Sequence, residues 1–210
     1  MTTLAEEAYL ARVLPGSPGG PLLLTLHGTG GDENQLAGLG RQLLPAATVV
    51  SPRGDVSEHG AARFFRRTGE GVYDMADLAR ATAKMARFAA AERDRTSASA
   101  VLGLGYSNGA NVLALVLFAE PGLFDAVALM HPLIPFDPAI SGSLAGKDIL
   151  ITAGRRDPIC PPDQTGRLEA RLRAAGANVS VVWHDGGHDL RPSEMEAARS
   201  HFKPFNQRGA

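Results

Sequence analysis

The sequence has a single cysteine, Cys160, among its 210 residues, so no internal disulfide can form. It has little net charge: 21 lysines and arginines oppose 22 aspartates and glutamates, which leaves no broad basic field for nucleic acid. The longest apolar run, residues 112–119, is too short to span a bilayer. The N-terminal residues MTTLAEE lack the apolar core of a signal peptide. These absences predict a cytoplasmic protein with no nucleic-acid partner and no membrane insertion.

Signatures of nucleotide binding are also missing. Gly103 and Gly105 would need a third glycine at position 108 for a dinucleotide fingerprint, but Asn108 stands there. No Gly-Lys-Ser/Thr follows any glycine-rich turn. The sequence gives little support for a metal site at His184 and His188. These residues do not form a helical H-E-x-x-H motif, and no other ligand cluster stands out. We therefore expect neither a cofactor nor a metal.

Short apolar runs alternate with segments of helical periodicity along the chain. The expected strands are 9–14, 22–26, 48–50, 100–104, 126–130, 149–153 and 179–183, and the expected helices are 34–44, 75–93, 110–118, 163–175 and 193–202. Residues 53–73 are expected to be irregular. The alternation predicts a predominantly parallel, doubly wound sheet in one domain over residues 1–210. The link 131–147 is too short for a helical cap domain.

The segment Gly105-Tyr106-Ser107-Asn108-Gly109 joins an apolar strand to an apolar helix. A residue at the apex of so sharp a turn is held near positive φ, and glycines two before and two after it remove the Cβ atoms that would clash. The Ser107 hydroxyl is thereby presented at the carboxyl edge of the sheet and beside a helix N-terminus, which favours negative charge. The motif predicts a nucleophile.

A serine nucleophile needs a histidine base and a carboxylate that orients the base. Asp157 follows the strand 149–153, and His188 follows the last strand on a Gly-Gly loop. The chain order Ser, Asp, His is that of α/β-hydrolases. The rival carboxylates are Asp148, Asp185 and Asp189, and His184 is a rival base that closes its strand.

An oxyanion hole needs two preorganised N–H donors, one after the nucleophile and one from the first βα loop. Asn108 supplies the first. In His27-Gly28-Thr29-Gly30, Thr29 is the predicted second donor and Gly30 the neighbouring candidate. The glycines here are also consistent with an ordinary tight turn.

Four motifs together resemble the phospholipase/carboxylesterase family of small α/β-hydrolases, in particular a bacterial carboxylesterase branch. They are Leu26-His27-Gly28-Thr29-Gly30-Gly31-Asp32-Glu33, Gly105-Tyr106-Ser107-Asn108-Gly109-Ala110, Gly154-Arg155-Arg156-Asp157-Pro158-Ile159 and Gly187-His188. The resemblance implies carboxylic ester hydrolysis with Ser107, Asp157 and His188 as triad, and it suggests a homodimer. Acyl-protein thioesterases of this family usually carry Gln-Gly-Gly where Asn108-Gly109-Ala110 stands here, which weakens a prediction of long acyl-thioester specificity.

An uncapped site favours short, soluble ester substrates. The candidate pocket walls are His27, Phe64, Phe65, His131, Leu133 and Ile159. The two phenylalanines are equally consistent with anchoring their loop to the core. The arginines around them are candidates for steering an anionic substrate, and a solvated charged face is the competing interpretation. Cys160 is interpreted as a packing residue.

Two alternatives stay open, and a third is disfavoured by the residue at position 107. A thioesterase or lysophospholipase would need a long apolar groove. A ligand receptor on the same fold would not need an intact nucleophile, base and acid. A dienelactone-type hydrolase would place cysteine at the turn that Ser107 occupies.

Overall fold

The computed structural model describes residues 8–207. The strands are β1 (Ala11–Leu14), β2 (Leu22–Leu26), β3 (Thr48–Pro52), β4 (Val56–Glu58), β5 (Ala61–Arg63), β6 (Arg67–Gly69), β7 (Val72–Tyr73), β8 (Val101–Tyr106), β9 (Ala126–Met130), β10 (Asp148–Gly154) and β11 (Asn178–His184). The helices are α1 (Ala37–Leu43), α2 (Met75–Thr96), α3 (Asn108–Ala119), α4 (Pro162–Ala174) and α5 (Pro192–Phe202), and a 3₁₀ turn follows at Lys203–Gln207.

Seven strands form the central sheet in the order β1-β3-β2-β8-β9-β10-β11. Only β1 is antiparallel to its neighbour, and the other pairs are parallel. Every residue of β2 and β9 is buried, as expected for strands covered on both faces. The predicted α/β-hydrolase architecture, with its mostly parallel sheet, is confirmed.

Helices cover both faces of this sheet. On one face α2, α3 and α4 contribute side chains such as Leu78, Phe118 and Leu168 to a large core. On the other face Leu43 of α1 and Phe202 of α5 pack against the strands in a second core. All strands of the parallel part therefore end at one edge of the sheet, and the loops at that edge can converge on a common site.

Two segments differ from the sequence-based expectation. Residues 53–73, expected to be irregular, form two hairpins in which β4 pairs with β5 and β6 pairs with β7. The helix expected from residue 34 begins at Ala37, because the Asn34 N–H donates a hydrogen bond of 2.8 Å to Asp32 Oδ1 and holds a turn. Asp74 caps α2, since its side chain accepts from the Asp77 N–H.

The link from β9 to β10 contains neither helix nor strand, so the described chain has no cap domain over the sheet edge. Within residues 8–207, none of the helices combines the length and apolarity that crossing a membrane requires.

Candidate active site

Ser107 occupies the sharp turn between β8 and α3, with φ 51° and ψ −114°. Its N–H donates to the Met130 carbonyl at 2.8 Å, which fixes the turn to the neighbouring strand. A Cβ at Gly109 would lie 2.1 Å from the Leu26 carbonyl oxygen, and one at Gly105 would lie 2.7 Å from the Ala110 N atom. These contacts are with backbone and cannot yield, so glycine is required at both positions.

The predicted nucleophile, base and acid lie within hydrogen-bonding distance of one another. His188 Nε2 is 2.9 Å from Ser107 Oγ, and His188 Nδ1 is 2.7 Å from Asp157 Oδ2. Because a carboxylate accepts hydrogen bonds, the His188 proton is assigned to Nδ1, and Nε2 is left to accept from the serine hydroxyl. The rival carboxylate Asp189 is exposed, and the structure does not bring it into this chain of hydrogen bonds.

The loops that carry the base and the acid are held from several sides. The Tyr106 hydroxyl donates to the His188 carbonyl at 2.9 Å. Asp157 Oδ1 accepts from the N–H groups of Ile159 and Cys160 at 2.8 and 3.0 Å. Burial works to raise the pKa of Asp157, but these N–H donors and the histidines that contact Oδ2 outweigh it, and the pKa lies below its ordinary value. Asp157 is therefore an ionised, fully oriented acceptor at neutral pH.

Thr29 and Asn108, the residues predicted to supply an oxyanion hole, line the same cavity as Ser107. Asn108 is the first residue of α3, so its N–H has no carbonyl partner within the helix. In the loop after β2, the Gly28 N–H donates to Gln35 Oε1 at 2.8 Å and the Gly30 N–H donates to the Ala62 carbonyl at 3.0 Å. Gly30 is thus engaged elsewhere, which leaves Thr29 as the better placed of the two candidate donors.

Two of the six predicted pocket-wall residues, Leu133 and Ile159, line a cavity of about 20 Å³ beside Ser107. Phe64 and Phe65 instead lie in the hydrophobic core with no exposed surface. The Phe64 N–H donates to Asn108 Oδ1 at 2.8 Å, so this segment supports the turn rather than lining the cavity.

The two predicted pocket histidines, His27 and His131, are also fully buried. His27 Nδ1 lies 2.7 Å from the Gly28 carbonyl oxygen, and its Nε2 accepts from the Gly54 N–H at 2.8 Å. Burial lowers the pKa of His27, so the ring is neutral and links two loops by hydrogen bonds. His131 contacts Asp157 and does not line the cavity: its Nδ1 is 2.8 Å from Asp157 Oδ2, and Cys160 Sγ lies 3.1 Å from its carbonyl oxygen.

The cavity beside Ser107 has a mostly polar lining. It consists of Thr29, Arg63, Arg67, Glu70, Tyr73, Ser107, Asn108, Asn111, Leu133, Ile159 and Cys160. Arg63, with a 3% exposed side chain, donates to Thr29 Oγ1 at 2.6 Å and lies 3.2 Å from Glu58. Arg67 pairs with Glu58 and Glu70. The two guanidinium groups are therefore balanced by two carboxylates and do not form a solvated cationic face.

Sequence reasoning missed Tyr73, Asn111 and Glu194. Tyr73 and Asn111 reach the cavity together, since Asn111 Nδ2 donates to the Tyr73 hydroxyl at 3.0 Å. Glu194 is a fully buried carboxylate of α5 that lies beneath His131. No local pattern distinguishes a buried carboxylate on an amphipathic helix from the exposed ones beside it.

Two buried groups bring possible metal-ligand atoms within 4.8 Å of one another: His131, His184 and Glu194, and His131, Asp157 and His188. In both groups the histidine nitrogens lie 2.7–3.3 Å from the carboxylate oxygens, so these atoms contact one another directly. We interpret them as one polar network behind Ser107.

The sheet order, the serine turn between strand and helix, and the loops that carry Asp157 and His188 define an α/β-hydrolase. The sequence profile of the dienelactone hydrolase family matches residues 57–197, and the chain belongs to this family. This chain carries serine, Ser107, at the turn where we expected a dienelactone-type enzyme to carry cysteine.

Several known proteins are similar to most of this chain. MhqD from Bacillus subtilis (strain 168) is 41% identical over 87% of this chain and 92% of its own. The structure of a Bacillus cereus carboxylesterase superposes with a TM-score of 0.88, at 36% identity and 93% coverage of both chains. A protein of unknown function from Agrobacterium tumefaciens str. C58 superposes with a TM-score of 0.92, at 56% identity, over 97% of this chain and 99% of its own. The chain is a hydrolase of the esterase-like kind.

Proposed function

We propose that the protein is a serine carboxylesterase that cleaves small esters through a Ser107-His188-Asp157 triad. The observation that carries this proposal is the chain of hydrogen bonds from Ser107 Oγ through both ring nitrogens of His188 to Asp157. The carboxylesterase of Bacillus cereus, similar over 93% of this chain, supports the same reaction type.

The reaction proceeds in two acyl transfers. His188 Nε2 takes the proton of Ser107 as Oγ bonds to the ester carbonyl carbon, and the resulting imidazolium then protonates the departing alkoxide. A water molecule attacks the acyl-enzyme, gives its proton to His188 and releases the acid as the proton returns to Ser107. Both steps pass through a tetrahedral oxyanion, and in this proposal the N–H groups of Thr29 and Asn108 donate hydrogen bonds to it.

The dimensions of the cavity favour small substrates. About 20 Å³ beside Ser107, lined largely by polar groups, leaves no room for a long acyl chain. Within residues 8–207, an apolar cavity of about 450 Å³ is bordered by α2, α3 and residues 136–141, and its lining includes none of the triad residues. This placement favours the short-chain esterase over the thioesterase or lysophospholipase alternative.

The charge of the cavity favours neutral or polar esters. Arg63 and Arg67 are already paired with Glu58 and Glu70, so no unbalanced cation remains to attract an anionic substrate. A homodimer and a cytoplasmic location stay predictions that follow from the family resemblance and from composition.

Hydrolysis of p-nitrophenyl acetate, butyrate and octanoate by wild type and Ser107→Ala tests this proposal. We expect kcat/KM to be highest for acetate or butyrate and to fall by a factor of at least about 10³ in the variant. Ser200→Ala is the matched control, because Ser200 is exposed on α5 and does not line the cavity. If folded wild type and Ser107→Ala are equally inactive on all three esters, the esterase proposal fails and a ligand receptor becomes the better interpretation.

A further inference from the structure

His131 follows β9 and lies behind the triad, with no exposed surface and a positive φ of 52°. Its Nδ1 is 2.8 Å from Asp157 Oδ2, the same oxygen that accepts from His188. On the other side of the ring, Nε2 is 3.0 Å from Glu194 Oε1. The imidazole is therefore held between two buried carboxylates.

The surroundings of Glu194 indicate that it is ionised. Its Oε1 accepts from the Thr152 hydroxyl at 2.5 Å, and its Oε2 accepts from the Arg191 N–H at 2.7 Å. His184 Nδ1 accepts from the Gly186 N–H at 3.0 Å, so this ring carries its hydrogen on Nε2, which lies 3.3 Å from Oε2. Groups that donate hydrogen bonds thus contact both oxygens of Glu194.

A neutral imidazole would leave one ring nitrogen without hydrogen, and its partial negative charge would lie 2.8 or 3.0 Å from a carboxylate oxygen, which is repulsive. A hydrogen and a positive charge on the ring make both of these close contacts attractive. Building on the proposed function, we propose that His131 is a buried imidazolium that acts as a positioning residue, linking Asp157 of the triad to Glu194 and balancing their charge.

The pKa directions agree with this assignment. Burial works to lower the pKa of His131, but the contacts with Glu194 and Asp157 outweigh it, and the pKa is raised above the ordinary value. His27 and His201 are also buried, and there burial lowers the pKa. These two histidines provide internal references for the neutral state.

The charged and titratable groups that face His131 come from five places in the fold. They are Tyr106 at the end of β8, Asp157 and Cys160 after β10, His184 at the end of β11, His188 on the following loop and Glu194 on α5. Burial raises the pKa of Tyr106 to about 12 and also raises the pKa of the Cys160 thiol, so both groups are neutral at pH 7.

These groups set the charge of the network during catalysis. Two carboxylates and one imidazolium carry a net charge of −1 at rest, and the network becomes neutral when His188 takes the proton of Ser107. Without the cation at His131, His188 would face two uncompensated carboxylates and would hold its proton more tightly. A protonated His188 cannot accept the proton of Ser107, so activity would be lost up to a higher pH.

Nuclear magnetic resonance of the wild-type protein labelled with ¹⁵N-histidine tests the charge directly. Of the six histidines, His131 is expected to show two protonated ring nitrogens at pH 7, whereas His27 and His201 show one. Single variants of the other five histidines assign the signal by elimination. A neutral His131 at pH 7 overturns the proposal, and this spectrum requires no turnover, so its outcome is separate from that of the Ser107→Ala test.

The pH dependence of kcat/KM tests the positioning role. Asparagine tolerates positive φ, so His131→Asn removes the cation with little backbone strain. We expect the acid limb to move up by about one pH unit or more and activity at pH 7 to fall about 10-fold or more. His59→Asn is the matched control, since His59 is exposed at φ 51° on the turn between β4 and β5. A folded His131→Asn with an unmoved acid limb, whatever its activity, overturns the proposal.

Discussion

Replacing Asp157 with asparagine changes one oxygen of a fully used carboxylate into an N–H donor. Oδ1 of Asp157 accepts from the Ile159 and Cys160 N–H groups, and Oδ2 lies 2.7 and 2.8 Å from the Nδ1 atoms of His188 and His131. In either orientation, the amide NH₂ of the variant faces two groups that must themselves donate. The substitution therefore leaves two buried donors without an acceptor.

The size of the effect follows from this count. Each unsatisfied buried donor costs about 1–3 kcal/mol, so the free energy of unfolding should fall by about 2–6 kcal/mol. If the NH₂ group faces the histidines, His188 is driven to the wrong tautomer, and kcat should fall by about 10⁴. If it faces the backbone, the Asp157 loop shifts and the base loses its alignment, so a large loss is expected in this case too.

Urea unfolding and the hydrolysis of p-nitrophenyl acetate measure the two effects separately. Asp189→Asn is the matched control, because Asp189 adjoins His188 but is exposed. We expect this control to keep wild-type stability and activity. The reasoning would be refuted if folded Asp157→Asn retained a tenth or more of the wild-type kcat, or if Asp189→Asn were the more damaging change.

Two further predictions concern the turn and the cavity. Gly109→Ala would place a Cβ 2.1 Å from the Leu26 carbonyl oxygen. We expect this change to lower the free energy of unfolding by about 1–3 kcal/mol and to lower kcat about 10²-fold. Gly38→Ala is the control, because a Cβ there meets open space, and it should change neither quantity. Equal melting temperatures for the two variants would contradict this. Leu133→Ala enlarges the cavity and should raise the octanoate-to-acetate ratio of kcat/KM about 10-fold, and an unchanged ratio would remove Leu133 from the acyl pocket.

The extent of the sequence-based prediction differs between the sheet and the cavity. The strands β2, β8 and β9 were predicted within a residue or two, because their continuous apolar runs are typical of strands buried on both faces. The two hairpins within 53–73 were missed, since strands of two or three residues carry no periodicity to detect.

The candidate triad could be predicted because each of its members directly follows a strand, and strand ends of a parallel sheet meet at one edge. The pocket walls could not be assigned in the same way. Phe64 and Phe65 have the composition of a pocket wall, yet they belong to the core. Whether an aromatic side chain on a long loop turns inward or towards a ligand depends on what packs around it.

Local pattern thus determined the α/β-hydrolase fold, the turn at Ser107 and the order of the candidate nucleophile, acid and base, because turn sterics and strand burial act over a few residues. Only the tertiary structure decided that Arg63 and Arg67 are neutralised by Glu58 and Glu70, and that His131 lies between Asp157 and Glu194. These contacts join residues from separate elements. Their charge and protonation depend on burial and distance, which no spacing in the sequence encodes.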